Sequence, residues 1–240
     1  MNYANSAELR EQIRATWDGV GLVSFSCGKD ALCTWLAMRE SGFREVHAVY
    51  LYLVPDLEFV EESIQLYEKR FGTKIHRLPH PSFCRLMRER VFQPPERWRP
   101  VGKLNLPNLT YDDVEMAARH AAGIDRRVPV AHGSRAADSL NRRTAVKRFG
   151  AVNKNRNTYW AIYDWTIADV RSCLARHNMP LPVDYELFGR SFDGIDYRFL
   201  EPIRRRFPRD YARILEWFPL ADAELHRRSL CPQIQPAPSP

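Results

Sequence analysis

From residue 23 the chain reads Val23-Ser24-Phe25-Ser26-Cys27-Gly28-Lys29-Asp30-Ala31, a set of types that can hold an anion. Ser26 offers a hydroxyl, Gly28 lets the backbone approach a phosphate closely, and Lys29 supplies a point charge. A helix starting near Asp30 would aim its unpaired N–H groups at the same place. Further on, His132-Gly133-Ser134-Arg135-Ala136-Ala137-Asp138-Ser139-Leu140-Asn141-Arg142-Arg143 combines another glycine with arginine forks that suit phosphate or sulfate oxygens. A solvated basic helix start is the plainer reading of that second stretch. Other constellations are weak. His76 and His80 have the i, i+4 spacing of a metal pair, but Pro79 and Pro81 forbid the helix that would align them. No Gly-x-Ser-x-Gly elbow occurs.

These residues need elements to position them. Residues 20–25 form an apolar, partly β-branched run that stops at Gly28, which predicts a buried strand. Leu32, Trp35 and Leu36 then predict a helix over residues 30–41, stopped by Gly42. Strands are predicted at 46–53, 74–78, 128–132 and 158–163, and helices at 60–71, 112–122 and 167–177. Strands alternating with helices predict an α/β fold with a mostly parallel, Rossmann-like sheet flanked by helices. In such a sheet a ligand sits where a strand's carboxyl end enters a helix, and the residue 26–31 loop has that position. Prolines and aromatics break any period over residues 79–107, which reads as an irregular insertion. The expected organisation is a nucleotide-binding domain over residues 1–178, a C-terminal helical lobe over 179–231 and a disordered tail over 232–240. The aromatics of the lobe, among them Phe192, Phe199, Phe207, Trp217 and Phe218, predict that it packs back on the core.

The loop is not the Walker pattern, which would need Gly at position 23 and Ser or Thr at position 30. It resembles the PP-loop of the adenine nucleotide α-hydrolase superfamily, Ser-Gly-Gly-Lys-Asp-Ser, departing from it at Cys27 and Ala31. Gly133, Arg135, Asp138, Ser139 and Arg142 fall on a Gly-x-Arg-x-x-(Asp/Glu)-Ser-x-x-Arg pattern similar to that of the phosphoadenosine-phosphosulfate (PAPS) reductase branch. Asp164-Trp165-Thr166 with Asp169-Val170 resembles a third segment of that branch, although Thr166 or Asp164 could equally cap the helix that follows. The resemblance covers roughly residues 20–170. It implies nucleotide contacts from Ser24, Ser26, Cys27, Gly28, Lys29, Asp56, Gly133, Arg135, Asp138, Ser139 and Arg142. It also implies catalytic roles for Lys29, Asp30 and Arg135, with Asp30 positioning Mg2+ or the loop. Reductases of this branch use a cysteine in a C-terminal Glu-Cys-Gly-(Leu/Ile)-His segment, whereas the late Cys231 here stands in Ser229-Leu230-Cys231-Pro232-Gln233.

The implied function is therefore an ATP enzyme cleaving between the α and β phosphates, either adenylating an acceptor or hydrolysing the nucleotide. The alternatives are a sulfonucleotide enzyme using PAPS or its adenylyl analogue (APS), and a non-catalytic nucleotide-dependent module that binds nucleic acid. A net charge of +7, from 36 Lys plus Arg against 29 Asp plus Glu, mildly favours polyanionic partners. An adenine nucleotide meets that charge, and a nucleic acid or protein acceptor is compatible with it. Arg204-Arg205-Arg206 is a candidate nucleic-acid contact, though such a run is usually a solvated face. Five cysteines without a Cys-x-x-Cys pair argue against a disulfide framework or a zinc ribbon and fit a reducing cytoplasm. The charged first residues predict no secretion signal, and no apolar run is long enough to span a membrane. Acceptor and oligomeric state have no motif.

Overall fold

The computed structural model describes residues 3–230, so Cys231 and the expected tail lie outside the described residues. By its contacts the chain divides into two compact units. Unit 1 takes the chain up to Tyr52 together with Ser63–Leu78 and Thr110–Pro182, and unit 2 takes Leu53–Glu62, Pro79–Leu109 and the chain from Val183 onward. Whereas the sequence reading divides the chain once, at residue 178, unit 2 also gathers two earlier segments.

In chain order the elements begin α1 (Ser6–Thr16), β1 (Val20–Ser24), α2 (Lys29–Glu40), β2 (Glu45–Tyr52), α3 (Glu58–Phe71) and β3 (Ile75–Pro79). They continue α4 (Pro81–Arg88), α5 (Pro95–Lys103), α6 (Tyr111–Ala122), β4 (Val130–His132) and, after a 3-10 turn at Ala136–Asp138, α7 (Leu140–Phe149). Then come β5 (Val152–Asn153), β6 (Thr158–Trp160), α8 (Ile167–Arg176), α9 (Val183–Phe188), α10 (Tyr197–Arg206), α11 (Pro208–Trp217) and α12 (Ala223–Leu230).

Unit 1 is built on a six-stranded sheet in the order β3-β2-β1-β4-β6-β5. β1 pairs parallel with β2 and β4, and β4 pairs parallel with β6. β5, two residues long and too short to leave a period in the sequence, pairs antiparallel with β6. Gly21, Leu22 and Val23 of β1 are all buried, as expected of a strand covered on both faces. Leu22, Val49, Ala118 and Val130 make the centre of the core, with Leu51, Leu78 and Ile124 packed against it. Residues 31–38 of α2 are buried all round, so this helix lies inside the unit rather than on its surface. Its close seat on β1 depends on Gly21, where a Cβ would fall 2.3 Å from the Met38 side chain and 3.0 Å from Phe43. Trp35 stacks on Phe71 at 3.8 Å, and Phe25, just past β1, meets Tyr67 and Phe71 edge-on at 5.7 and 5.6 Å. Those aromatics anchor the strand end from which the loop departs.

In unit 2 the residue 79–107 stretch is largely helical, which corrects the reading of an irregular insertion. Pro81 and Pro95 are the first residues of α4 and α5, where the missing N–H costs nothing and the fixed φ suits a helix. His80 caps α4, its Nδ1 accepting from Ser82 N at 3.0 Å. The C-terminal aromatics belong to the unit's own core: Phe59, Phe188, Phe192, Phe199 and Phe207 pack with ring separations from 5.0 to 6.4 Å. Asp210 holds the start of α3, accepting from Glu58 N at 2.6 Å and Phe59 N at 3.2 Å.

Candidate functional site

The order of the sheet explains why two distant motifs meet. The chain moves outward from β1 through β2 to β3 and then returns to β4 on the other side of β1. The carboxyl ends of β1 and β4 therefore flank the topological switch point, where an open α/β sheet binds its ligand. The residue 26–28 loop leaves one of them, and Gly133 to Arg142 leaves the other.

Gly28 caps α2 in extended conformation (φ −78°, ψ 161°) with no side chain bonded into the helix start. The first-turn N–H groups and the positive end of the helix dipole are left for an anion. Cys27 lies in the left-handed region at φ 59° and is buried, so the backbone at the departure from the PP-loop pattern prefers glycine. Ser26 is exposed on the loop, and Ser24 is half-buried at the end of β1.

Around this helix start runs an alternating chain of charges. Lys29 Nζ lies 2.5 Å from Asp30 Oδ2, Asp30 Oδ1 lies 2.9 Å from Arg135 Nε, and Arg135 Nη2 lies 2.6 Å from Asp138 Oδ1. Arg142 Nη1 closes the series 2.5 Å from Asp138 Oδ2. Three cations face two carboxylates, which leaves one net positive charge beside the helix dipole. Arg135 is only 5% exposed, and Asp30 and Asp138 compensate the cost of burying its guanidinium. The pairing is imperfect: Arg135 Nε and Asp30 Oδ1 are close, yet their alignment is not that of a hydrogen bond, and both buried atoms lack such a partner.

Several expected contacts have other work here. Gly133 backs onto the helix rather than onto open space, because a Cβ there would stand 2.7 Å from the Asp30 carbonyl oxygen and 3.1 Å from Ala31 N. Ser139 caps α7, accepting from Arg142 N at 3.2 Å. Asp138 receives the Arg135 backbone N–H at 3.1 Å as well as both arginines, so it orients the cluster. Thr166 and Asp169 form a reciprocal capping box on α8, while Asp164 accepts from Ser6 N at 2.9 Å. Their segment is accounted for structurally. Asp56, exposed at φ 58°, belongs to unit 2. Asp30 is a poor magnesium ligand as arranged: one oxygen faces Lys29 and the other Arg135, so a divalent ion would compete with two cations for one carboxylate.

His132, the last residue of β4, has no part in the phosphate-binding pattern that surrounds it in the sequence. Its position at the carboxyl end of a parallel strand was the available signal. With Ser134 it lines a cleft of about 710 Å3, together with Thr158, Trp160, Lys154 and Arg156. Behind it lies buried Glu115, 3.6 Å from His132 Nε2 and 3.1 Å from Arg156 Nη2. This volume is in the range of small-molecule sites.

No protein-family model and no curated protein matches this sequence. Among solved structures, the chain is similar to phosphoadenylyl-sulfate (PAPS) reductase from Candida auris in a phosphate complex. The TM-score is 0.48 at 12% identity, over 79% of this chain and 87% of that one. It is also similar to the NH3-dependent NAD synthetase of Campylobacter jejuni subsp. jejuni NCTC 11168 in complex with nitrate, with TM-score 0.46 at 9% identity, over 96% and 95% of the two chains. Among the described residues no helix is long and apolar enough to cross a membrane.

Proposed function

We propose that this chain is a PP-loop enzyme that binds ATP at the β1–α2 loop and cleaves it between the α and β phosphates, passing the adenylyl group to an acceptor or to water. The observation that carries the reading is the ion-pair chain that joins buried Arg135 through Asp30 and Lys29 to the uncapped start of α2. A phosphate oxygen would satisfy the first-turn N–H groups and meet the net positive charge of that ion-pair chain. Lys29 and Arg135 then face the charge that develops on the pyrophosphate leaving group. Because phosphoryl chemistry asks a protein mainly for placement and counter-charge, this stabilisation is the principal catalytic contribution. Asp30 holds the two cations in register, and Asp138 does so for Arg135 and Arg142. The cleft beside His132 and Ser134 gives room for the rest of the ligand.

Calorimetry with ATP, PAPS and AMP, followed by product analysis, tests the reading. ATP should bind and yield AMP and pyrophosphate. Lys29→Ala should lower turnover at least ~100-fold, the effect of removing one preorganised charge donor, with an unchanged unfolding transition. Unaltered pyrophosphate release in that variant, or sulfite from PAPS with no ATP binding, overturns it.

A further inference from the structure

Unit 1 carries a second cluster of chemically active side chains, at the opposite end of α2 from the phosphate loop. Glu40, the last residue of α2, meets Cys173 and His177 of the α8 segment, and one donor atom from each lies within 4.8 Å of the other two. Cys173 and His177 are four residues apart, so they share one face of the helix and its end. Cys173 is fully buried, His177 is half-buried and Glu40 is exposed. The group thus forms a shallow socket with a thiol at its floor and two further donors at its mouth. Such a mixed sulfur, nitrogen and oxygen set suits a borderline-soft ion. Tetrahedral coordination with bonds of about 2.0–2.3 Å would separate the donors by roughly 3.3–3.6 Å, inside the observed spread.

We propose that Glu40, Cys173 and His177 form a binding site for a zinc-class divalent transition-metal ion that staples the C-terminal end of α2 to α8. His177 Nε2 and Glu40 Oε1 lie 2.7 Å apart in a hydrogen bond, and the ion replaces the proton between them. The imidazole binds as its neutral form with the remaining proton on Nδ1, and the Cys173 thiol releases its proton to solvent as the metal–sulfur bond forms. Thiolate and carboxylate together balance the divalent charge. A second layer is present. The thiol of buried Cys33, on α2, donates to Val170 O of α8 at 3.5 Å and so ties the two helices together beside the site. Arg176, at 2.8 Å from Glu40 Oε1 and largely exposed, competes for the carboxylate and must turn to its other oxygen or to water. Buried Arg10 adds a further cation facing this patch. This inference does not depend on the nucleotide reading.

The test uses the full chain, titrated with Co2+ as a spectroscopic probe and then with Zn2+. Expected are one Co2+ per chain with thiolate-to-cobalt charge-transfer absorption, displacement by Zn2+, and a Tm raised by Zn2+ and lowered again by a chelator. Cys173→Ser should abolish the absorption, His177→Ala should weaken binding at least ~10-fold, and Cys33→Ser should retain the site with an affinity lowered roughly 10–100-fold. Arg176→Ala should bind at least as tightly as the parent. His177→Ala alters a surface position, so its result stands even if Cys173→Ser folds poorly. Absence of stoichiometric binding, or a thiolate band and affinity unchanged in His177→Ala, overturns the proposal.

Discussion

Gly133 illustrates how the lack of a side chain can bring two elements together. Its Cβ-free face is what lets β4 end against the first turn of α2, because an added carbon would stand 2.7 Å from a backbone oxygen. Gly133→Ala should therefore destabilise the chain by about 1–3 kcal/mol, as overpacked positions do, and weaken ATP binding by displacing the N–H groups of that turn. Urea midpoints and calorimetry check both effects, and a variant with parental values in each would show that the backbone has room there. Cys27 presents the opposite case. A side chain occupies a backbone conformation that glycine adopts most easily, at a cost of order 1 kcal/mol stored in the loop. The sequence showed both residues as departures from, or matches to, a pattern. The partner of Gly133 is Asp30 in the first turn of α2, 103 residues earlier in the chain, which no spacing rule could point to.

At the scale of elements, caps decide where helices begin, and several residues that looked like ligand contacts prove to be caps. Thr166 and Asp169 bond reciprocally at the start of α8, and this hydrogen bonding lowers the pKa of Asp169. Thr166→Ala should cost about 1 kcal/mol of stability and leave ATP affinity unchanged. A large loss of affinity with unchanged stability would return the segment to the ligand site. The helices α4 and α5 leave no clear sequence signal for a related reason. Proline breaks a helix interior but suits a first helical position, and that is where Pro81, behind the His80 cap, and Pro95 stand. The strand–loop–helix at residues 20–40 was legible because each of its signals is local: a β-branched run, a glycine, and a buried helical period.

For the molecule as a whole, pH acts through carboxylates buried away from the site. Burial pushes Asp184, in unit 2, from 3.8 up to about 6, although its carboxylate accepts from Phe192 N at 2.8 Å. Because the folded state holds this proton more tightly than the unfolded chain, the stabilisation is complete below about pH 4 and is lost as pH rises through about 6, by roughly 3 kcal/mol. Asp184→Asn keeps an acceptor and removes the charge, so it should raise the urea midpoint at pH 7 and give no gain at pH 4. Equal gains at both values would exclude titration as the cause. The sequence by itself determined the layered α/β class, the strand–loop–helix at residues 20–40 and the basic stretch after β4, since periodicity, glycine placement and residue chemistry are properties of short segments. Only the tertiary structure decided that Asp30 and Arg135 pair, that residues 53–62 and 79–109 join the C-terminal helices, and that Glu40 meets Cys173 and His177. Those contacts arise where strand order and helix packing bring distant segments together, and the side-chain geometry that sets them has no counterpart in local spacing.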